Sequence, residues 1–216
     1  MMMKPMNGAT DDFRRALWWR RAPFDETIET TTGIEPMVPL RASFGVGFRW
    51  TATDVDLQTL AEGIDETVDG ARSQAEDWLY GHVDAAAKNA LEMLGHTVHV
   101  VETALGSAEV ARWWSRTGII PAGREGTPLE LALEGRKAEL LEVAAGVAAK
   151  RRVLLSERGA EIEIECGADG VRWCVSAQPN GHGREIAAGV AVTATVAKHI
   201  AEAALEPGRI ALGRDP

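Results

Sequence analysis

From Val38 to Thr53 the even positions are apolar throughout: Val38, Leu40, Ala42, Phe44, Val46, Phe48, Trp50 and Ala52. The odd positions carry Pro39, Arg41, Ser43, Gly45, Gly47, Arg49, Thr51 and Thr53. Side chains of an extended chain point alternately to opposite faces, so this pattern predicts a strand with one buried face. Unbroken, it would span about 50 Å, more than most soluble sheets need, and a bend or bulge is expected at Gly45 and Gly47.

At Asp54-Val55-Asp56 the period changes. Leu57, Leu60, Ile64, Val68, Ala71, Ala75, Leu79, Val83, Ala86, Ala90 and Leu94 recur at three- and four-residue steps. This spacing predicts one long amphipathic helix, capped by Asp54 or Asp56 and stopped at Gly95. Gly63, Gly70 and Gly81 weaken it, so a break is expected near Gly81. Thr97 to Leu105 fits a strand as well as a helix. Ser107 to Thr117 predicts a short helix ending at Gly118, and Ile119 to Gly126 reads as a linker. Thr127-Pro128-Leu129-Glu130 is a capping box with proline at the first helical position. The helix it opens carries Leu133, Leu140, Ala144 and Val147 on one face and Lys150, Arg151 and Arg152 in its last turn.

An antiparallel three-stranded meander follows. A turn at Arg158-Gly159 pairs Leu155 with Ile162, Val153 with Ile164, and Arg152 with Glu165 on the other face. A second turn at Asp169-Gly170 pairs Cys166 with Trp173 and Ile164 with Val175. Glu161, Glu163 and Glu165 then line the polar face with Arg172 nearby, and one apolar set serves both hairpins. Cys166 and Cys174 fall on opposite faces, which argues against a disulfide between them. Gln178 to Gly183 is a loop. Arg184 to Glu206, rich in alanine, predicts a final helix packed closely on the sheet.

At the start, residues 1–9 read as a leader, and Thr10-Asp11-Asp12 as the cap of a helix through Phe13 to Arg21 that stops before Pro23. The expected fold is α+β: an antiparallel sheet built from the long strand and the meander, with helices on one face. Its other face, with Arg41, Arg49 and the Glu161, Glu163 and Glu165 row, would be wet or meet another subunit. The expected organisation is an arm over 1–23, a strand-and-helix region over 24–120, and a helix–meander–helix region over 121–216. The last two would be separate domains or one.

Composition narrows the functions. The chain of 216 residues is 45% hydrophobic and 25% charged, as in ordinary globular proteins. Its net charge of −9 disfavours broad contact with nucleic acid or an anionic membrane. No uncharged stretch reaches the ~20 residues of a membrane span, and no apolar secretory segment opens the chain. The two cysteines fit a reduced, cytoplasmic setting.

Candidate chemistry is sparse. Arg14, Trp18, Trp19, Arg20 and Arg21 are the residue types that dominate protein interfaces, so the arm is a candidate docking element. The alternatives are a terminal helix that covers a core edge with its tryptophans and pairs its arginines with the acidic body, and a membrane-surface or nucleic-acid contact. Removing residues 1–22 would on the docking reading weaken assembly and leave the fold. Asn180, His182 and Arg184 would lie at a helix N-terminus, where free backbone N–H groups hold anions. His96, His99 and Glu102 share a face if their segment is helical and would otherwise diverge. Glu62, Asp65, Glu66 and Asp69 form an acidic stripe on the expected long helix, which a solvated face explains as well as a bound Mg²⁺ does. Gly45-Val46-Gly47 lacks the rest of a dinucleotide fingerprint, and no familiar catalytic or metal motif occurs. No cofactor, metal or catalytic residue is therefore assigned. The leading expectation is a non-enzymatic structural or interaction protein that forms homo-oligomers or docks to a protein partner. A subunit of a phage-like or other multi-subunit particle is one version. The alternatives are a small-molecule or regulatory module with its site at 180–184, and a metal-assisted enzyme.

Overall fold

The computed structural model describes residues 8–21, 25–29, 40–45, 47–53, 59–120, 126–177 and 184–205. The chain forms two compact units, Met1–His96 and Thr97–Pro216, each with its own antiparallel sheet. The fold is α+β, as the alternation of periods requires. The expected single sheet is instead two, because each set of strands closes on its own neighbours.

The first unit contains α1 (Gly8–Ala16), β1 (Trp18–Arg21), β2 (Asp25–Glu29), β3 (Leu40–Gly45), β4 (Gly47–Thr53), β5 (Thr59–Asp65), α2 (Val68–His82) and the first part of α3 (Ala85–Leu105). The strands lie in sequence order, each antiparallel to the next. The alternating stretch is a hairpin and not one strand. Gly45 pairs with Gly47, Phe44 with Phe48, Ala42 with Trp50 and Leu40 with Ala52. This register pairs even residues with even ones, so the alternation runs unbroken through both strands. Period-two patterning is blind to such a fold-back, and the two glycines mark where it occurs.

Residues 59–65 form a strand where the pattern suggests helix. Leu60 and Ile64 are four apart, a spacing that puts them on one face in either conformation. The long helix therefore begins only at Val68, capped by Thr67, whose side chain accepts from the Gly70 N–H at 3.0 Å. Asp65 buttresses that cap, accepting from the Thr67 N–H (2.9 Å), the Thr67 hydroxyl (3.0 Å) and the Gln74 amide (2.9 Å). The helical break falls at Val83-Asp84, just past Gly81, and the Asp84 carboxylate accepts from the Ala87 N–H at 2.8 Å to start α3. Gly95 does not stop α3. It lies where α3 meets α1, and a Cβ there would overlap the Asp12 carbonyl oxygen. At the N-terminus, α1 ends at Ala16, and the Trp-Trp-Arg-Arg segment is a strand, with Trp18 opposite Glu29 and Arg21 opposite Glu26. Aromatic residues favour strands, and pairing with β2 outweighs the helical pattern. Phe13 (0% exposed) and Leu17 (1%) are core residues, so α1 and the residue that follows it pack into the first unit.

The second unit contains the rest of α3, then α4 (Ala108–Thr117), α5 (Pro128–Leu133), α6 (Lys137–Lys150), β6 (Arg152–Glu157), β7 (Ala160–Gly167), β8 (Gly170–Ala177), β9 (Arg184–Ala191) and α7 (Ala194–Ala204). The expected short helix with its stop at Gly118 and the capping box at Thr127 both form, and Ser107 is the cap of α4 and not its first residue. The helix opened by Thr127 is two helices, because Glu134 to Arg136 turn the chain between α5 and α6. The first meander register is as derived: Val153 faces Ile164, Leu155 faces Ile162 and Arg152 faces Glu165. The second is displaced by two residues, with Ile162 opposite Val175, Ile164 opposite Trp173 and Cys166 opposite Val171. The turn is Ala168-Asp169, flanked by the Gly167/Gly170 pair, with Gly170 at φ 127°. A two-residue displacement leaves each side chain on its face, so the apolar pattern cannot detect it.

The first half of the expected final helix is a fourth strand, β9, paired with β8. Its small residues do serve close packing, but in a sheet: a Cβ on Gly189 would lie 3.1 Å from the Trp173 indole. Thr193 then caps α7, accepting from the Val196 N–H at 3.2 Å. Helix α7 lies over β7, β8 and β9, while α4 lies over β6. Between sheet and helices, Val153, Leu155, Ile162, Ile164 and Val175 are fully buried with Ala197 and Ala201.

Two predictions follow from the first unit. Gly95→Ala gains about 1 kcal/mol of helix propensity, but the Asp12 carbonyl cannot rotate away. Overpacking of that kind costs about 1–3 kcal/mol. Urea unfolding should therefore show a net loss of stability, opposite in sign to propensity. The hydrogen bond from the Thr67 N–H, followed by that from its hydroxyl, holds the Asp65 carboxyl below its ordinary value of 3.8. A depressed carboxyl stabilises the fold above the ordinary value and loses that contribution as pH falls through its folded value. Asp65→Asn should lower the melting temperature at neutral pH, and the gap from wild type should close on acidification below 3.8.

Candidate interaction surface

The two edges of the β6–β9 sheet are treated differently. At the β6 edge Leu155 forms a bridge with Gly118, and the Ile119 N–H donates to the Leu154 carbonyl at 2.8 Å. The segment after α4 thus occupies that edge. At the other edge β9 pairs with β8 alone among the described residues, so its outer backbone groups lack a strand partner. Soluble proteins usually blunt such an edge with lysine, proline, inward charge or a covering element. Here the sequence carries no charge from Ile186 to Ala197 and no proline in β9. A register irregularity at Val175/Ser176 alters the pairing only near the start of the strand.

Apolar side chains rim this edge. Val190 is 67% exposed, Val192 84%, Val196 39% and Ile200 38%. Val190 pairs with Arg172 and so lies on the sheet face away from α7, whereas Gly189 pairs with Trp173 on the covered face. Val196 and Ile200, one turn apart, lie on one flank of α7. The opposite flank carries Thr195, Lys198, His199 and Glu202 and faces α4. Since α4 covers β6 and α7 reaches β9, the apolar flank overhangs the open edge.

The α4-facing flank holds a cluster of polar side chains. Lys198, 4% exposed, places its Nζ 3.0 Å from Glu109, 2.7 Å from Glu202 and 5.1 Å from the centre of the Trp113 ring. The Trp113 indole donates to Glu157 at 2.6 Å, and His199 lies 3.4 Å from Glu109 and 3.5 Å from Glu202. A nucleophilic lysine needs a free amine directed at a substrate. This ammonium is enclosed by two carboxylates and a ring face, which makes it a tie between α4 and α7. The Thr195 and Ser107 hydroxyls, 2.8 Å apart, add a second tie. Together they fix the helix whose other flank overhangs β9.

The residues singled out in the sequence fall elsewhere. Asn180 and His182 lie outside the described residues. Arg184 is the first residue of β9 and exposed, so no helix starts there; α7 starts at Ala194, capped by Thr193. Arg14 ion-pairs with Asp77 and Glu76 of α2. Trp18, Trp19, Arg20 and Arg21 are the residues of β1. The 97–105 segment is helical, which puts His96, His99 and Glu102 on one face of α3. His96 lies 3.8 Å from Asp12. The acidic stripe is not helical: Glu62 and Asp65 lie on β5 and point to opposite faces, Glu66 is in a turn, and only Asp69 is in α2. Among the described residues no three histidine, cysteine or acidic side chains gather to hold a metal. No described helix is long and apolar enough to cross a membrane. Both cysteines are free, and burial pushes the Cys166 thiol up, away from the reactive thiolate. The β9 edge was missed because its alanines read as helix; the uncharged run from Ile186 was the available signal. Comparison with protein families, curated proteins and solved structures returned no match.

Removing a buried ion's partner costs about 3–5 kcal/mol when neither can reach water. Glu109 and Glu202 are 39% and 35% exposed and can turn outward. Lys198→Ala should therefore lose about 2 kcal/mol in urea unfolding, and Lys198→Met clearly less, because it keeps the buried stem.

Proposed function

We propose that the protein is a non-enzymatic structural or interaction protein that assembles with copies of itself or with a protein partner through its sheets. The single observation that carries this reading is the β9 edge: a strand edge with no partner strand among the described residues, without charge from Ile186 onward and rimmed by four exposed aliphatic side chains. An edge of that kind offers a row of backbone donors and acceptors with an apolar border, which suits association far better than catalysis. The first unit supports the same reading at smaller scale. Its edge strand β5 exposes Leu60 (48%) and Ile64 (61%) on one face, although Glu62 between them pairs with Arg49 at 3.2 Å. The chemistry-bearing groups described above are engaged in capping and helix ties, in keeping with a scaffold.

The test is the solution mass of the intact chain by size exclusion with light scattering across a dilution series. A mass above the 23.2 kDa of one chain that falls on dilution is expected. A 23.2 kDa species at every concentration, with no protein partner retained by the purified chain, removes the proposal. Deleting residues 1–22 is not a suitable probe, since it removes the buried Phe13 and Leu17 and with them the fold of the first unit.

A further inference from the structure

We infer that the occupant of the β9 edge is β9 of a second copy of this chain, joined antiparallel about a two-fold axis near Gly189; the inference rests on the assembly reading above. Three observations select a second copy. The first is charge. Two chains of net charge −9 repel over most of their surfaces, and Ile186 to Ala197 is the stretch of this edge where copies meet without facing charges. The second is shape. Strand-addition sites for foreign peptides draw specificity from side-chain pockets. Ala187, Ala188 and Gly189 present a flat, small-residue surface instead, which an identical flat strand matches. The third is area. The uncovered parts of Val190 and Val192 and, on α7 over the other face, of Val196 and Ile200 together come to on the order of 400 Å² per copy. Two copies thus bring on the order of 800 Å², which strand backbones raise toward the ~1,200 Å² of a small specific interface.

The pleat is consistent with this pairing. Ala187, Gly189 and Ala191 lie on the face covered by α7, and Ala188 and Val190 on the other. Antiparallel pairing centred on Gly189 sets Ala187 against the partner's Ala191 and Ala188 against the partner's Val190, so like faces meet. The two four-stranded sheets become one continuous sheet, and Val196 and Ile200 of each copy close over the seam. An isologous contact of this kind uses both edges at once and closes as a dimer.

The experiment compares the wild-type chain with the double variant Val190→Lys, Val196→Lys by light scattering and by hydrogen exchange of the β9 amides. Both positions are exposed, so the fold should be kept, and circular dichroism checks it. Lysine lowers the net negative charge, so dissociation cannot be blamed on added overall repulsion. The expected result is a wild-type dimer with slowly exchanging β9 amides and a variant whose dimer dissociation constant rises at least tenfold, with fast β9 exchange. A wild-type oligomer that the double variant leaves intact overturns the β9 pairing while the assembly reading stands. A wild-type monomer with β9 amides already slow overturns it too, because a segment of the same chain then covers the edge. A wild-type monomer with fast β9 exchange and no retained partner overturns both.

Discussion

The second unit depends on one constraint: the apolar face of β7 must be covered along its whole length. Ile162 and Ile164 are fully buried and Cys166 nearly so, while Glu161, Glu163 and Glu165 alternate with them on the other face. Because the side-chain period is two, sliding β7 by one residue against its neighbours would bury that glutamate row and expose the isoleucines. Hydrophobic burial of about 25 cal/mol per Å² and the cost of burying a carboxylate act together against the slip. With β7 fixed, β6 and β8 must bring Val153, Leu155, Trp173 and Val175 to the same side, and α4 and α7 must cover them. The small residues of α7, Ala194, Ala197 and Ala201, let that helix approach the sheet closely.

The same physics explains what is left uncovered. A sheet of four strands has two edges, and the chain spends the residues after α4 on one of them. The remaining edge is β9. On the face away from the helices, ion pairs join neighbouring strands: Arg152 of β6 with Glu163 of β7 at 2.7 Å, and Arg172 of β8 with Glu165 of β7 at 3.0 Å. That charge stops short of β9 beyond Glu185. The polar flank of α7 is tied to α4 by Lys198, so the helix cannot rotate to hide Val196 and Ile200. The tie and the exposed flank are two sides of one arrangement.

In the first unit, a glycine decides the packing at a position where local propensity argues against it. Gly95 sits inside a helix, which weakens α3, and is tolerated because α1 requires that space. The contact holds Phe13 in the core, where its ring meets Tyr80 edge-on at 5.0 Å. Tyr80 in turn donates to Glu92 at 2.9 Å, joining α2 to α3. The aromatic and arginine residues that look like a docking arm in the sequence are thus divided between α1, whose Arg14 pairs with α2, and the strand β1.

The sequence by itself determined what is local or periodic. The capping box at Thr127, the helix stop at Gly118, the turn at Arg158-Gly159 and the first meander register all follow from side chains within a few residues of one another. The faces of β6, β7 and β8 follow from alternation. What the sequence left open are the choices to which alternation is blind. A hairpin that pairs even residues with even ones preserves parity, a two-residue displacement of β8 preserves faces, and Leu60 and Ile64 satisfy both periods. Tertiary structure made each of these choices by pairing. The candidate surface belongs to that second group: an alanine-rich run is a good helix by propensity, and it becomes a strand at 184–191 because the Trp173 indole takes the space beside Gly189 and β8 has an edge to fill. Whether a strand lies at the border of a sheet is a property of its neighbours, and no local pattern encodes it.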